Sequence, residues 1–127
     1  NQTIKVMSKK LILYISILFS ILTSCGYKRQ PDLILLNNSS TSFEAIYTST
    51  SGSTDSVNIG SLSVGKELKS RFSIDDLDTS DGCYFIRALG DDGRVITKCF
   101  GYYTNGSSLN RGFKLIIEND TLLIDSW

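Results

Sequence analysis

The stretch CYFIRALGDDGRVITKCF, residues 83–100, decides the fold because it holds a complete β-hairpin. Two runs rich in β-branched and aromatic residues flank Gly90-Asp91-Asp92-Gly93, whose residues tolerate a positive φ. Strand, turn and strand follow one another without a break. The segment therefore predicts two antiparallel neighbours in a sheet.

Segments of strand-like composition recur on both sides of this hairpin, with Gly, Asn, Asp and Ser between them. Eight segments of this kind cover residues 33–36, 42–50, 56–59, 67–74, 83–89, 94–103, 112–118 and 121–125. This spacing predicts an all-β domain, a small antiparallel β-sandwich or barrel of about seven to eight strands. Residues 66–72 also suit one short helix, although Leu68, Phe72 and Ile74 fit an alternating strand nearly as well.

The first 24 residues have the parts of a secretory signal peptide. Lys9 and Lys10 precede an uncharged apolar run over residues 11–22, which is shorter than the roughly 20 apolar residues that cross a bilayer. The alternative is a buried core helix, but no polar face interrupts the run at helical spacing. We expect Met7 to be the true start and residues 1–6 to be an upstream extension.

Leu22-Thr23-Ser24-Cys25 resembles the lipobox of bacterial lipoproteins, which is an aliphatic residue, two small residues and a cysteine. The resemblance implies that Cys25 receives a diacylglycerol, becomes the first residue of the mature chain and is acylated on its amino group. Two or three acyl chains give the stable bilayer anchoring that one chain does not. Residues 25–31 would be a lipidated tether and residues 32–127 a single β-rich domain. Gly26 stands where an aspartate would resemble an inner-membrane retention signal, so the resemblance implies outer-membrane delivery in a Gram-negative host. No acidic run follows Cys25 such as marks surface-exported lipoproteins, which favours the leaflet that faces the periplasm.

The charge balance changes when the signal segment is removed. Lys5, Lys9 and Lys10 are lost and no acidic residue is lost, so ten basic and thirteen acidic residues remain, a net charge of −3. Nucleic acid binding calls for a basic patch. We therefore expect no nucleic acid partner.

Cys83 and Cys99 remain once Cys25 carries lipid, and an even pair outside the cytoplasm favours a disulfide. The pairing register of the hairpin decides whether this bond can form. A loop centred on Asp91 places the two cysteines face to face, a glycine bulge makes them diagonal neighbours, and a one-residue slip puts them on opposite faces. The alternative is two buried free thiols, which behave as small hydrophobic side chains.

Catalytic and metal-binding patterns are sparse. The chain has no histidine, which removes the usual nucleophile–base pairs and the commonest metal ligand. Asp75, Asp76, Asp78 and Asp81 are dense enough to suggest calcium, but their spacing misses the EF-hand by one residue and lacks its closing glutamate. An acidic solvated turn is the better interpretation. We expect no cofactor and no metal site.

Residues 101–106, Gly-Tyr-Tyr-Thr-Asn-Gly, are the candidate binding segment. Tyrosines are favoured in contact patches because they bury a large area with few rotors. Tyr102, Tyr103 and Asn105 are the candidate contact residues, and Tyr84 and Trp127 are further aromatic residues of this group. The alternative is that these rings fill the core, but adjacent strand residues point in opposite directions, so Tyr102 or Tyr103 must face outward.

Two classes of function follow from these features. The first is a non-enzymatic module, tethered to the envelope membrane, that binds an envelope protein or polymer, including an immunity or inhibitor type of protein. The second is a small enzyme that acts on envelope polymers through carboxylates alone. The missing histidine and the absence of any catalytic motif favour the first class.

Overall fold

The computed structural model describes residues 30–72 and 80–127, which form two β-sheets and contain no helix. The strands in these two ranges are β1 (Asp32–Asn37), β2 (Phe43–Thr50), β3 (Val57–Leu62), β4 (Glu67–Arg71), β5 (Gly82–Gly90), β6 (Val95–Thr104), β7 (Ser107–Ser108), β8 (Gly112–Ile117) and β9 (Leu122–Ser126). The predicted all-β sandwich is confirmed. Cys25, the lipobox and the signal segment lie outside the described residues.

The two sheets have four and five strands. The four-stranded sheet has the order β4-β1-β8-β9, and the five-stranded sheet has the order β3-β2-β5-β6-β7. All described neighbours are antiparallel except β1 and β8, which run parallel from Asp32 beside Gly112 to Asn37 beside Ile117. β1 is thus a central strand. No helix within residues 30–72 and 80–127 has the length and apolarity needed to cross a membrane.

β4 decides between the two interpretations of residues 66–72, and the helical alternative is wrong. The strand pairs antiparallel with β1, which places Leu68 beside Leu35. Leu68 packs against the core, and Phe72, directly after the strand, is also buried. Pairing with β1 satisfies the backbone of this short segment, and two-residue alternation buries one of its faces. Ile74, the third residue of the predicted alternation, lies outside the described residues.

Aromatic rings fill the core at the end of the sandwich where the chain enters β1. The N–H of Phe72 donates to the carbonyl of Pro31 at this entrance, over 3.1 Å. The cluster consists of Phe72, Tyr84, Phe100, Tyr103 and Phe113, with neighbouring ring centroids 4.7 to 6.2 Å apart. Tilted and edge-on rings at this spacing add to the stabilisation from burial. This end of the sandwich is therefore filled by closely packed rings.

Polar side chains around Asn37, which is fully buried, hold the opposite end. The Asn37 amide donates to the carbonyls of Thr41 at 2.8 Å and Leu62 at 3.2 Å. Its amide oxygen accepts from the N–H of Ser39 at 3.0 Å and from the Ser39 hydroxyl at 2.6 Å. The Thr41 hydroxyl donates to Asp92 over 2.8 Å. The Asn37 side chain thus links the β1–β2 loop to β3, and the Thr41 side chain links the same loop to the β5–β6 turn.

Candidate functional site

The β5–β6 hairpin carries the candidate site, and a glycine bulge sets its register. Phe85 lies beside Cys99, so the loop is centred one residue beyond Asp91. Gly93 takes the positive φ of +84° that this three-residue loop requires. Cys83 and Cys99 are therefore diagonal neighbours, as the glycine-bulge alternative predicted.

Cys83 and Cys99 form a disulfide whose Cα atoms are 6.0 Å apart, which confirms the predicted bond. This separation lies within the usual range for bridged cysteines. The bond crosses from β5 to β6 on the outer surface of the five-stranded sheet. It fixes the two strands next to the candidate tyrosines.

A second bulge determines which tyrosine faces outward. Gly101 and Tyr102 together lie opposite Cys83 alone, because the pairing register shifts by one residue at this point. Gly101 has a φ of +61°, and a Cβ atom there would clash with a core ring. The extra residue allows Phe100 and Tyr103 both to point into the core. Tyr102 faces outward with 46% of its surface exposed.

Tyr103 is completely buried, which corrects its place among the candidate contact residues. Its hydroxyl lies 3.3 Å from the hydroxyl oxygen of Ser51, which also accepts the N–H of Cys83 over 3.1 Å. Tyr84 is buried beside it. Trp127 lies across Gly112 on the other sheet. The packing interpretation is therefore right for Tyr103 and Tyr84, and the structure does not bring these rings to one surface.

Asn105 and Gly106 form the two-residue loop between β6 and β7, with φ values of +50° and +69°. Positive φ at both positions matches the tight hairpin turn that Asn-Gly favours. The Asp81 carboxylate accepts from the Thr104 hydroxyl at 2.7 Å and from the N–H of Asn105 at 3.0 Å. These bonds, the one from Thr104 first, lower the pKa of Asp81. At neutral pH the carboxylate is ionised and holds the exposed Asn105 in place.

The phenol of Tyr102 stays protonated at neutral pH. Loss of solvent around the ring raises the pKa of Tyr102, and the nearby negative charge of Asp81 raises it further. The side chain therefore offers both an apolar ring and an O–H donor. The ionised Asp81 carboxylate beside it gives this corner of the sheet a negative charge.

Tyr102 belongs to a larger surface, which we name the Tyr102 face. Phe85 and Arg87 lie on it because the alternate residues of β5, Tyr84 and Ile86, are buried. Cross-strand pairing places Tyr47 directly beside Arg87 and Phe85 beside Cys99. The members of the face are Tyr47, Phe85, Arg87, Tyr102 and the disulfide between Cys83 and Cys99.

Three members of this face were not identified from the sequence. The run Tyr84-Phe85-Ile86 has no alternation of polarity, so its outward residue could not be recognised. Tyr47 and Arg87 become neighbours only through pairing of β2 with β5. Arg87 could have been identified from the sequence, because the hairpin register puts it on the same face as Cys83 and Cys99.

The chemistry of the Tyr102 face is that of a contact surface. It offers half-buried and exposed rings, one guanidinium and two phenols on a cross-linked sheet. Within residues 30–72 and 80–127, no group of three His, Cys, Asp or Glu side chains is arranged to hold a metal ion. Asp75, Asp76 and Asp78 lie outside the described residues, and Asp81 is bonded into its turn.

Comparison with known proteins places no relative beside this chain. No protein-family model matches it, and no curated protein and no solved structure is significantly similar to it.

Proposed function

We propose that this protein is a lipid-anchored module of the bacterial envelope that binds an envelope protein or polymer through the Tyr102 face, without catalysing a reaction. The observation that carries the proposal is the exposed Tyr102 ring, fixed by a bulge, a disulfide and a tight turn. An exposed aromatic ring on a rigid support loses little entropy when a partner covers it. An immunity or inhibitor protein that neutralises a partner by contact has these requirements.

In this proposal, the lipidated Cys25 anchors the module in the outer membrane, on the side that faces the periplasm. Leu109 donates its N–H to the carbonyl of Tyr102 over 3.4 Å, and Asp32 donates to the carbonyl of Arg111 over 2.9 Å. Tyr102 is therefore near the end where the chain enters β1. Six residues between Cys25 and Asp32 extend at most about 20 Å. The partner would then meet the module close to the bilayer.

Alanine substitutions at the two adjacent tyrosines test the binding proposal. We expect Tyr102→Ala to weaken binding about thirtyfold, which corresponds to about 2 kcal/mol at a hot spot, while the melting temperature stays nearly unchanged. We expect Tyr103→Ala to cost about 3 kcal/mol of stability because it leaves a cavity among packed rings. The measurements are thermal unfolding of each variant and quantitative binding to the partner identified by mild crosslinking.

Tyr102→Phe is the matched control, because it keeps the ring and removes only the hydroxyl. Binding that survives in Tyr102→Phe and fails in Tyr102→Ala assigns the effect to ring burial. If Tyr102→Ala unfolds as Tyr103→Ala does, or if neither variant changes binding, the Tyr102 face is not the binding surface.

Lipid attachment has its own test. Growth with a clickable fatty acid should label the wild-type chain, and Cys25→Ala should lose both the label and its place in the membrane fraction. Cys25 is the only site at which the lipobox resemblance places lipid. Label that persists in Cys25→Ala would contradict the anchor.

A further inference from the structure

The end of the sandwich where the chain enters β1 carries exposed apolar side chains. Leu109 is 59% exposed and Trp127 is 48% exposed. Together with the exposed Arg111 they form a surface that we name the Trp127 patch. Large apolar side chains left in solvent close together mark a surface that contacts another molecule or a membrane.

Backbone hydrogen bonds bring the members of the patch together beside the start of β1. The N–H of Arg111 donates to the carbonyl of Trp127 over 2.6 Å, and its carbonyl accepts the N–H of Asp32 over 2.9 Å. Asp32 is the first residue of β1. Leu109, two residues before Arg111, donates its N–H to the carbonyl of Tyr102. The patch therefore lies next to the point at which the chain enters the sandwich.

Local contacts keep the two apolar side chains of the patch outside the core. The Ser108 hydroxyl donates to the carbonyl of Asn110 over 2.7 Å and accepts its N–H over 3.2 Å, which closes the loop around Leu109. The ring of Trp127 lies over Gly112, where a Cβ atom would clash with it. Since the next residue of β8 points into the core, Gly112 and this ring lie on the outer side of the four-stranded sheet.

The charge of the patch is positive. Among the described residues, no carboxylate lies within ion-pair distance of the Arg111 guanidinium. Arg71, at the same end, is paired with Asp32 over 2.9 Å, and the Asp81 carboxylate is bonded into its own turn. An arginine at a membrane surface keeps its guanidinium among the head groups while its stem covers apolar surface.

The length of the tether identifies the bilayer as the surface that this end meets. The six residues between Cys25 and Asp32 extend at most about 20 Å, so the entrance to β1 stays close to the lipid on Cys25. Such a short link gives a high effective concentration, and even a weak contact is then occupied. Indole rings are favoured at the boundary of head groups and acyl chains, because the ring is apolar and its N–H is polar.

We propose that the Trp127 patch is a membrane-contact surface, in which Leu109 and the Trp127 ring enter the lipid interface and Arg111 meets a lipid phosphate. The proposal rests on the lipid attachment proposed for Cys25. Apolar side chains at such an interface reach about 5–10 Å into the boundary of head groups and acyl chains. The contact orients the domain with its Asn37 end away from the bilayer.

Fluorescence of Trp127, the only tryptophan of the chain, tests the contact without a label. The wild-type lipidated chain is purified from membranes and reconstituted into phosphatidylcholine vesicles whose acyl chains are brominated near the glycerol or near the methyl end. Bromine quenches tryptophan only at short range. We expect bromines near the glycerol to lower the emission of Trp127 about twofold or more, and to quench it more strongly than bromines near the methyl end, because the ring lies at the interface.

Moving the tryptophan provides the matched controls. The double variant Trp127→Phe, Leu109→Trp keeps the indole on the patch and should be quenched as the wild type is. The double variant Trp127→Phe, Val95→Trp transfers it to the opposite end of the sandwich and should not be quenched. Val95 is 55% exposed, so the two positions that receive the indole are similarly open to solvent. Thermal unfolding checks that each variant is folded.

The outcomes separate this proposal from the proposed anchor and binding face. Mass spectrometry that finds no lipid on Cys25 overturns the anchor and the membrane contact together. A chain that floats with the vesicles but shows no quenching of Trp127, or equal quenching after Val95→Trp, overturns the membrane contact alone. Emission that shifts to shorter wavelength with protein concentration, without bromine quenching, overturns it too, since a second copy of the chain would then cover the patch.

Discussion

The substitution Asn37→Ala should lower the free energy of unfolding much more than Asn38→Ala at the neighbouring position. Asn37 is fully buried and makes four hydrogen bonds, whereas Asn38 is exposed and donates one bond of 3.2 Å to the Glu118 carboxylate. The two positions have the same side chain and adjacent places in the chain. Their comparison therefore isolates the effect of the buried network.

The magnitude follows from the groups that lose a partner. In Asn37→Ala, the N–H of Ser39 and the carbonyl of Leu62 lose the bonds that the Asn37 amide makes, while the Ser39 hydroxyl keeps the Thr41 carbonyl at 3.1 Å. Each buried group left without a partner costs about 1–3 kcal/mol. We expect a loss of about 3 kcal/mol, or a melting temperature lower by roughly 12–24 °C for a domain of this size.

Urea unfolding followed by circular dichroism measures both variants. Asn38→Ala should stay within about 0.5 kcal/mol of the wild type, as exposed substitutions usually do. The reasoning is refuted if Asn37→Ala loses less than about 1 kcal/mol or if the two variants are equally destabilised.

Two further predictions concern the β5–β6 hairpin. The double variant Cys83→Ala, Cys99→Ala should lose about 3 kcal/mol of unfolding free energy, because a disulfide across 16 residues restricts the unfolded chain; equal urea midpoints would contradict this. Hydrogen bonds from the N–H of Arg94, and then from the Thr41 hydroxyl, lower the pKa of Asp92 in the folded protein below its ordinary value of 3.8. The ionised Asp92 carboxylate therefore stabilises the fold above pH 3.8, and this stabilisation is lost as the pH falls through the pKa of the folded state. Asp92→Asn should flatten this acid loss in unfolding curves measured as a function of pH, and an unchanged acid slope would speak against it.

Local features of the fold were predictable from the sequence. The loop Gly90-Asp91-Asp92-Gly93 identified the hairpin, and two-residue alternation required that one of Tyr102 and Tyr103 face outward. The bulge at Gly101 was not identified, because a glycine inside a strand has the same appearance in sequence whether it is bulged or regular. The bulge is nevertheless what turns Tyr102, rather than Tyr103, to the surface.

Features that join distant parts of the chain were not predictable. The parallel pairing of β1 with β8 depends on how two whole sheets assemble, and eight strand-like segments do not specify it. Residues 66–72 have a composition that suits helix and strand alike, and only β1 beside them decides for the strand. The burial of Asn37 could not be recognised in the sequence, since an asparagine before a polar loop is usually part of an exposed turn. Its partner Leu62 is 25 residues away in sequence.

The parallel pairing of β1 with β8 has a consequence for the order in which the protein folds. Leu33 lies beside Phe113, and loop closure over so long a span is costly until other contacts have drawn the ends together. The β5–β6 hairpin, by contrast, closes over a three-residue loop. β1 is the first of the described strands to be synthesised, yet its parallel partner appears only when β8 has left the ribosome. A chain interrupted before Gly112 therefore leaves β1 with an unpaired edge and a half-built sheet, the kind of surface that holdase chaperones protect.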